Sequence, residues 1–96
     1  MPKYYNFMVQ GYYLYFTSHC IVEAFHVHAS DKKLTETGSA KFFVHKDGTS
    51  IIQNKGRISD KKLALIQEFI KDNYKEMFKT WKEGGGTPEY YKKKNK

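Results

Sequence analysis

Two histidines stand two residues apart in the segment AFHVHAS, which covers residues 24 to 30. Apolar residues alternate with His26 and His28, a pattern typical of a β-strand, in which successive side chains point to opposite faces. Both imidazoles therefore point to the same side of a sheet. Three interpretations follow: the pair binds a metal ion, it shares acid and base roles, or it only hydrogen-bonds neighbouring strands and tyrosines.

A metal site needs more ligands than this pair supplies. His45 is a third ligand if its strand lies beside that of His28, and Glu23 or His19 is available from the preceding loop. Because only two ligands are secure, we expect weak or no binding of zinc or nickel, and we assign no metal site and no cofactor.

The acid–base alternative makes His26 and His28 the catalytic residues. Two imidazoles that titrate near neutrality can divide the roles of base and acid, as metal-independent ribonucleases require. Lys41 or Arg57 would then stabilise the charge on a phosphate. No spacing here is diagnostic of such an enzyme, so the sequence does not establish a reaction.

The segments around the histidines predict further strands. GYYLYFTS, residues 11 to 18, alternates two sets of side chains, and SAKFFVHKDGTSII, residues 39 to 52, has Asp47-Gly48 between two β-prone runs. An Asp-Gly pair at this place favours a tight hairpin turn. That turn pairs Val44 with Ile51 and Phe43 with Ile52.

The period of the apolar residues changes at Ser59, a candidate N-cap. One amphipathic helix is predicted from there to about Glu83, with its apolar stripe at Leu63, Ile66, Phe69 or Ile70, Tyr74, Met77 and Trp81. The three glycines 84 to 86 end it, because they readily supply a left-handed cap. We predict a single α+β domain over residues 1–83, with a small antiparallel sheet of three to four strands packed on one long C-terminal α-helix, and a flexible tail over 84–96.

The sheet face that packs on the helix is predicted to contain Leu14, Phe16, Val27, Phe42, Val44 and Ile51. The opposite face is predicted to display Tyr13, Tyr15, His26, His28, Lys41, Phe43, His45 and Ile52. Rings beside cations let unstacked bases lie on aromatic side chains while phosphates meet positive charge, so the predicted nucleic-acid-binding residues are Tyr13, Tyr15, Lys41, Phe43 and His45. The alternative is a non-catalytic interaction module whose aromatic face is buried in a homodimer or a cognate partner.

The charge balance is compatible with an acidic partner. The chain has 17 Lys and Arg against 10 Asp and Glu, a formal net charge of +7, and four of its lysines lie in the last ten residues. This balance favours a partner such as RNA, although a basic composition also serves solubility. Cys20, the single cysteine, allows no intramolecular disulfide, and no segment reads as a signal peptide or membrane span. We therefore expect a cytoplasmic protein without a membrane partner.

The order of these parts resembles the small bacterial Domain of Unknown Function family 4160. The resemblance covers roughly residues 4 to 83 and includes the aromatic strand, the His-x-His strand, GSAKFFV with its turn at KDG, and a helix that ends near Trp81. The family pattern Asp-His-x-Pro-Pro-His-x-His places its last three positions on His26, Val27 and His28, with Ala24 and Phe25 in place of the prolines. The resemblance implies a toxin–antitoxin-type component that acts on RNA or is the partner of such a protein.

Overall fold

The sheet is an antiparallel meander that one helix covers. A computed structural model describes residues 3–17, 22–31 and 39–92. Its elements in chain order are β1 Tyr13–Tyr15, β2 His26–Ser30, β3 Ala40–Val44, β4 Ser50–Asn54 and α1 Asp60–Glu83. The strands lie in the order β1-β2-β3-β4, each antiparallel to its neighbour. The predicted α+β class, with a small antiparallel sheet and one long C-terminal helix, is confirmed.

The inner face of the sheet, which we define as the face that packs on α1, carries the alternating apolar residues. Leu14, Val27, Phe42 and Val44 are buried there, and the helix contributes Leu63, Ile66, Ile70, Met77 and Trp81. Each of these side chains contributes roughly 1.5–3 kcal/mol when it leaves water, which is the main term opposing chain entropy. The predicted stripe of α1 therefore forms the core, with Ile70 fully buried and Phe69 only partly buried.

The β3-β4 hairpin differs from the prediction by one residue. His45 and Thr49 close a three-residue loop, with a hydrogen bond from His45 N to Thr49 O at 2.7 Å and Gly48 in the left-handed region at φ 91°. Phe43 consequently pairs with Ile51, and Phe42 pairs with Ile52. The predicted pairings of Val44 with Ile51 and of Phe43 with Ile52 are wrong, because one extra loop residue moves both isoleucines to the other face. A β-bulge between Lys41 and Phe42 shifts the register again, so that Lys41 pairs with Asn54.

In the observed register Ile51 and Ile52 lie on the faces opposite to those predicted. Ile52 packs against the core, whereas Ile51 lies on the outer face, opposite to α1, and is 41% exposed. The loop is a common three-residue type in which glycine occupies the left-handed position. Gly48 has a second constraint, since a Cβ there would lie 2.6 Å from the ring of Tyr74.

Helix α1 has a defined start and a defined end. Ser59 is its N-cap and accepts a hydrogen bond from Lys62 N at 3.4 Å. At the other end Gly85 N donates to Lys82 O and Gly86 N donates to Trp81 O, the paired bonds of a Schellman motif. A Cβ on Gly86 would lie 2.3 Å from the Trp81 ring, so the chain passes over the indole at a distance that only glycine permits.

Residues 86 to 91, which we call the C-terminal strap, lie against the end of the sheet. Trp81 Nε1 donates to Thr87 O, Phe25 N donates to Glu89 O at 2.8 Å, and Tyr91 N donates to Val44 O at 2.9 Å. The strap belongs to the segment 84–96 for which a flexible tail is predicted, and these backbone bonds join it to the sheet and to α1. Residues 93 to 96 lie outside the described residues.

Two other segments also lie outside the described residues. These are residues 32–38 and the segment 18–21, which includes His19 and Cys20. Among the residues described, no helix combines the length and the apolar character that a membrane span requires.

Candidate functional site

The register of the four strands aligns a polar row across the outer face. Tyr15 pairs with His28, His28 pairs with Lys41, and Lys41 pairs with Asn54. Paired residues on neighbouring antiparallel strands bring their side chains to the same face. The row therefore carries a phenol, an imidazole, an ammonium group and an amide from four different strands.

A small cavity opens on this row. It has a volume of about 160 Å³ and is lined by His28, Ser39, Lys41 and Asn54. The lining offers one cation together with hydroxyl, amide and imidazole groups, each able to donate a hydrogen bond in a suitable protonation state or tautomer. We call it the outer-face cavity.

Lys41 forms an ion pair at the edge of the cavity. Its Nζ lies 2.8 Å from Glu23 Oε1, with the Lys41 side chain 16% exposed and that of Glu23 45% exposed. The hydrogen bond from Lys41 lowers the pKa of Glu23 and keeps it ionised. The same Nζ lies 4.8 Å from the centre of the Phe43 ring. The carboxylate offsets much of the lysine charge, so the outer face is less electropositive than its sequence suggests.

His26 is buried behind the row in one defined tautomer. Its Nδ1 lies 2.9 Å from the carbonyl oxygen of Ala24. A carbonyl only accepts, so Nδ1 carries the proton and Nε2 of the neutral ring keeps its lone pair. Nε2 has no hydrogen-bond partner among the described residues and lies 3.9 Å from Glu23 Oε1.

Burial lowers the pKa of His26 to about 4, although the bond to Ala24 opposes the shift. The ring is enclosed by other rings, with centre-to-centre distances of 5.1 Å to His28, 5.3 Å to Phe43 and 5.2 Å to Trp81. His26 is therefore neutral at pH 7 and has no proton on Nε2 to give. Such a group serves as a hydrogen-bond acceptor or as a packing support for His28.

The other predicted residues do not form an open platform. Tyr15 is fully buried and stacks on His28 with ring centres 5.5 Å apart, and Phe43 is covered by Tyr91 at 4.3 Å. Tyr13 is half-buried, with Lys3 Nζ 4.4 Å above its ring. The predicted display of exposed rings is thus wrong for Tyr15 and Phe43, since the chain itself covers this face.

His45 lies apart from the histidine pair. It follows the end of β3, is 5% exposed, and its Nδ1 donates to Tyr91 O at 2.8 Å. Across the parts of the chain with described coordinates, no three His, Cys, Asp or Glu side chains come together as a metal site. Arg57 is exposed and does not line the outer-face cavity.

Sequence reasoning missed the contributions of Ser39 and Asn54 to the outer-face cavity and of Tyr91 to the closure of the face. A three-residue loop alone would pair Lys41 with Gln53, and Asn54 takes that place because of a β-bulge between Lys41 and Phe42, which the sequence pattern does not indicate. No sequence pattern indicated the role of Tyr91 either, because its contacts join residues far apart in the sequence.

The comparisons with known proteins give a family and nothing finer. No curated protein and no solved structure matches the chain. The model of the family described as Domain of unknown function (DUF4160) matches residues 11–82, which include all four strands and nearly the whole of α1. The match ends before the C-terminal strap. The chain belongs to the family Domain of unknown function (DUF4160).

Proposed function

We propose that this protein is an RNA-binding component of a toxin–antitoxin-type module and that it contacts a phosphate of the RNA at the outer-face cavity. The observation that supports this most directly is the lining of that cavity by Lys41, Ser39, Asn54 and His28. An ammonium group beside neutral donors is a suitable set for phosphate oxygens, because charge-assisted hydrogen bonds are the stronger ones. The toxin–antitoxin part rests on the family resemblance alone.

The two histidines have different roles in this proposal. His28 lines the cavity and can contact the ligand directly. His26 is buried, neutral and held by Ala24, so it positions His28 through their ring contact. Catalysis by His26 and His28 stays a prediction. It requires RNA cleavage that is lost in both His26→Ala and His28→Ala while each variant remains folded.

The test compares two lysines that each form an ion pair but lie at different places in the fold. Lys41 lines the cavity and pairs with Glu23, whereas Lys55 pairs with Asp60 at 3.3 Å in the turn before α1. Lys41→Gln and Lys55→Gln each remove one positive charge and one ion pair. A hydrogen bond to a charged group contributes about 1.5–3 kcal/mol, so Lys41→Gln should weaken RNA binding roughly 10- to 100-fold.

Fluorescence anisotropy with a labelled single-stranded RNA measures these affinities. We expect Lys55→Gln to bind almost like the wild type, and Asn54→Ala to weaken binding less than Lys41→Gln does. Equal weakening by the two lysine variants would show that only net charge matters and would contradict a specific phosphate contact.

A second candidate function is the non-catalytic interaction module, and the exposure of Ile51 favours it. Ile51 is 41% exposed on the outer face, opposite Phe43, whereas the rings of Tyr15 and Phe43 on that face are covered. A homodimer or a cognate partner would bury this side chain. Sedimentation at increasing concentration tests the homodimer: Ile51→Asp should shift an existing dimer to monomer, and a wild-type monomer at all concentrations would exclude it.

A further inference from the structure

A row of lysines runs along the solvent-exposed side of α1. Lys71, Lys75 and Lys79 are all exposed and stand four residues apart, so each step rises about 6 Å along the axis on one side of the helix. Within the described part of the chain none of the three forms an ion pair. Their charges are not offset as that of Lys41 is.

An acidic row borders the lysine row on one side. Glu68, Asp72 and Glu76 are exposed, also stand four residues apart, and lie about 90° round the helix axis from the lysine row, whereas Glu83 follows Lys79 at the C-terminal end of that row. This separation of charge makes the positive surface narrow, roughly one side chain wide. A flat anionic membrane would meet both rows at once, whereas a linear polyanion can follow the lysines and avoid the carboxylates.

Aromatic rings border the lysine row on the other side. Phe78 stacks on Tyr90 with centres 4.1 Å apart, Tyr74 lies 6.2 Å from Tyr90, and Lys82 Nζ lies 5.0 Å above Phe78. Tyr90 belongs to the C-terminal strap, so the strap adds aromatic surface beside the cations of α1. Proteins that bind single-stranded nucleic acids combine a row of positive charges along the backbone with aromatic rings on which the bases stack.

A groove of about 880 Å³ opens beside these rings, between the β3-β4 loop and the strap. Its lining includes Tyr90, Tyr91, Lys46 and Lys92 together with Asp47 and Glu89. The two carboxylates disfavour a phosphate inside the groove, whereas the tyrosines suit a base. The phosphates are then left to the lysine row.

We infer that the lysine row of α1 and the tyrosine-lined groove beside it form a contact surface for single-stranded RNA, with phosphates along Lys71, Lys75 and Lys79 and a base in the groove. For the class of ligand this inference rests on the proposed function. The surface itself is a separate one, because α1 covers the inner face of the sheet and the cavity opens on the outer face.

The test compares two triple variants of equal charge. Lys71→Gln/Lys75→Gln/Lys79→Gln removes the row, and Lys55→Gln/Lys61→Gln/Lys62→Gln removes three exposed lysines near the start of α1. The affinity of each for a fluorescein-labelled oligouridine is measured over a range of KCl concentrations. Each phosphate contact on a single strand contributes about 0.7 to the slope of log K against log salt, so the row variant should reduce the slope by about 2.

The control triple should leave the slope nearly unchanged. Equal reductions in both triples, or no reduction in the row triple, would overturn the inference. Stronger binding to vesicles containing phosphatidylserine than to the oligouridine would overturn it in favour of a membrane surface.

Amide chemical-shift changes on addition of the oligouridine separate this inference from the proposed function. Changes along 71–79 and at Lys46 and Tyr90 support the inference, even if Lys41→Gln has no effect on affinity. Changes confined to His28, Lys41 and Asn54 support the proposed function and overturn the inference. A wild-type protein that binds no oligouridine would overturn both.

Discussion

The two faces of the sheet are buried by different means. On the inner face, aliphatic and aromatic side chains pack on α1, a 24-residue helix that buries a continuous apolar stripe. On the outer face the buried groups include three histidines and Thr17, Ser30 and Ser39, and part of the cover comes from a strap of six residues. The buried apolar area of the inner face stabilises the fold, whereas the outer face holds buried polar groups in defined orientations.

This difference has a consequence for chemistry. A group such as His26 keeps its tautomer and its lowered pKa only because rings and backbone surround it. The same enclosure keeps it away from a ligand, whereas His28 lines the outer-face cavity together with Lys41 and Asn54. One strand, β2, therefore carries an enclosed imidazole at His26 and a cavity-lining imidazole at His28.

The largest expected effect comes from shortening one isoleucine on each face of the sheet and comparing the losses of stability. Ile70 is fully buried against the inner face, and Ile51 is 41% exposed on the outer face. Ile70→Ala should lower the free energy of unfolding by about 2–5 kcal/mol because it leaves a cavity, whereas Ile51→Ala should change it by about 0.5 kcal/mol or less. Urea denaturation followed by circular dichroism measures both. Similar losses in the two variants would mean that Ile51 is covered in solution.

The second effect concerns pH and belongs to the outer face. The pKa of His26 falls from its ordinary 6.5 to about 4 in the folded protein. Between these values the unfolded chain binds the proton and the folded chain does not, so stability decreases as pH falls through this window. The difference amounts to about 3 kcal/mol, fully lost below pH 4. Other groups titrate in the same range, so a variant is needed as the reference.

His26→Asn is that reference, because its side-chain amide can still donate to Ala24 O but does not titrate. The unfolding free energy of the wild type should fall more steeply between pH 6.5 and 4 than that of the variant. Imidazole proton resonances should give His26 a midpoint near 4 in the folded wild type. A midpoint near 6.5 would show that the ring is solvated and that the outer face opens.

The inner face was predictable because local patterns determine it. The three- and four-residue spacing of Leu63, Ile66 and Ile70, and the alternation around Phe42, indicate which side is buried before any contact is known. Ile51 was predicted on the wrong face, because one more residue in the hairpin loop shifts the register of β4 by one residue at Ile51 and Ile52 and exchanges the faces of these side chains. Local pattern predicts a face only when the register is known.

The outer face was less predictable because its contacts join distant parts of the chain. Glu23 meets Lys41 across 18 positions, and His45 meets Tyr91 across 46. Three glycines followed by charged residues suggest a flexible tail, and only the Trp81 ring under Gly86 reveals why glycine is required. The periodicity of a sequence contains no information of this kind.

The smallest expected effect tests whether the strap closes the outer face. Tyr91 stacks on Phe43 with ring centres 4.3 Å apart, and its backbone bonds to Val44 O and His45 Nδ1 do not depend on its side chain. Tyr91→Ala should therefore lower the free energy of unfolding by about 1 kcal/mol, the size of an aromatic pair, while leaving the backbone bonds in place. Tyr91→Phe keeps the ring and should match the wild type.

Hydrogen exchange locates the effect of this substitution. In Tyr91→Ala the amides of Tyr91 and the end of β3 should exchange faster, whereas those of Ile66 and Ile70 in α1 should change only by the loss of global stability. Faster exchange that is uniform over both faces would contradict a local role for the strap. If Tyr91→Ala and Tyr91→Phe behave alike in both measurements, the ring does not hold the strap and its backbone bonds alone cover this end of the sheet.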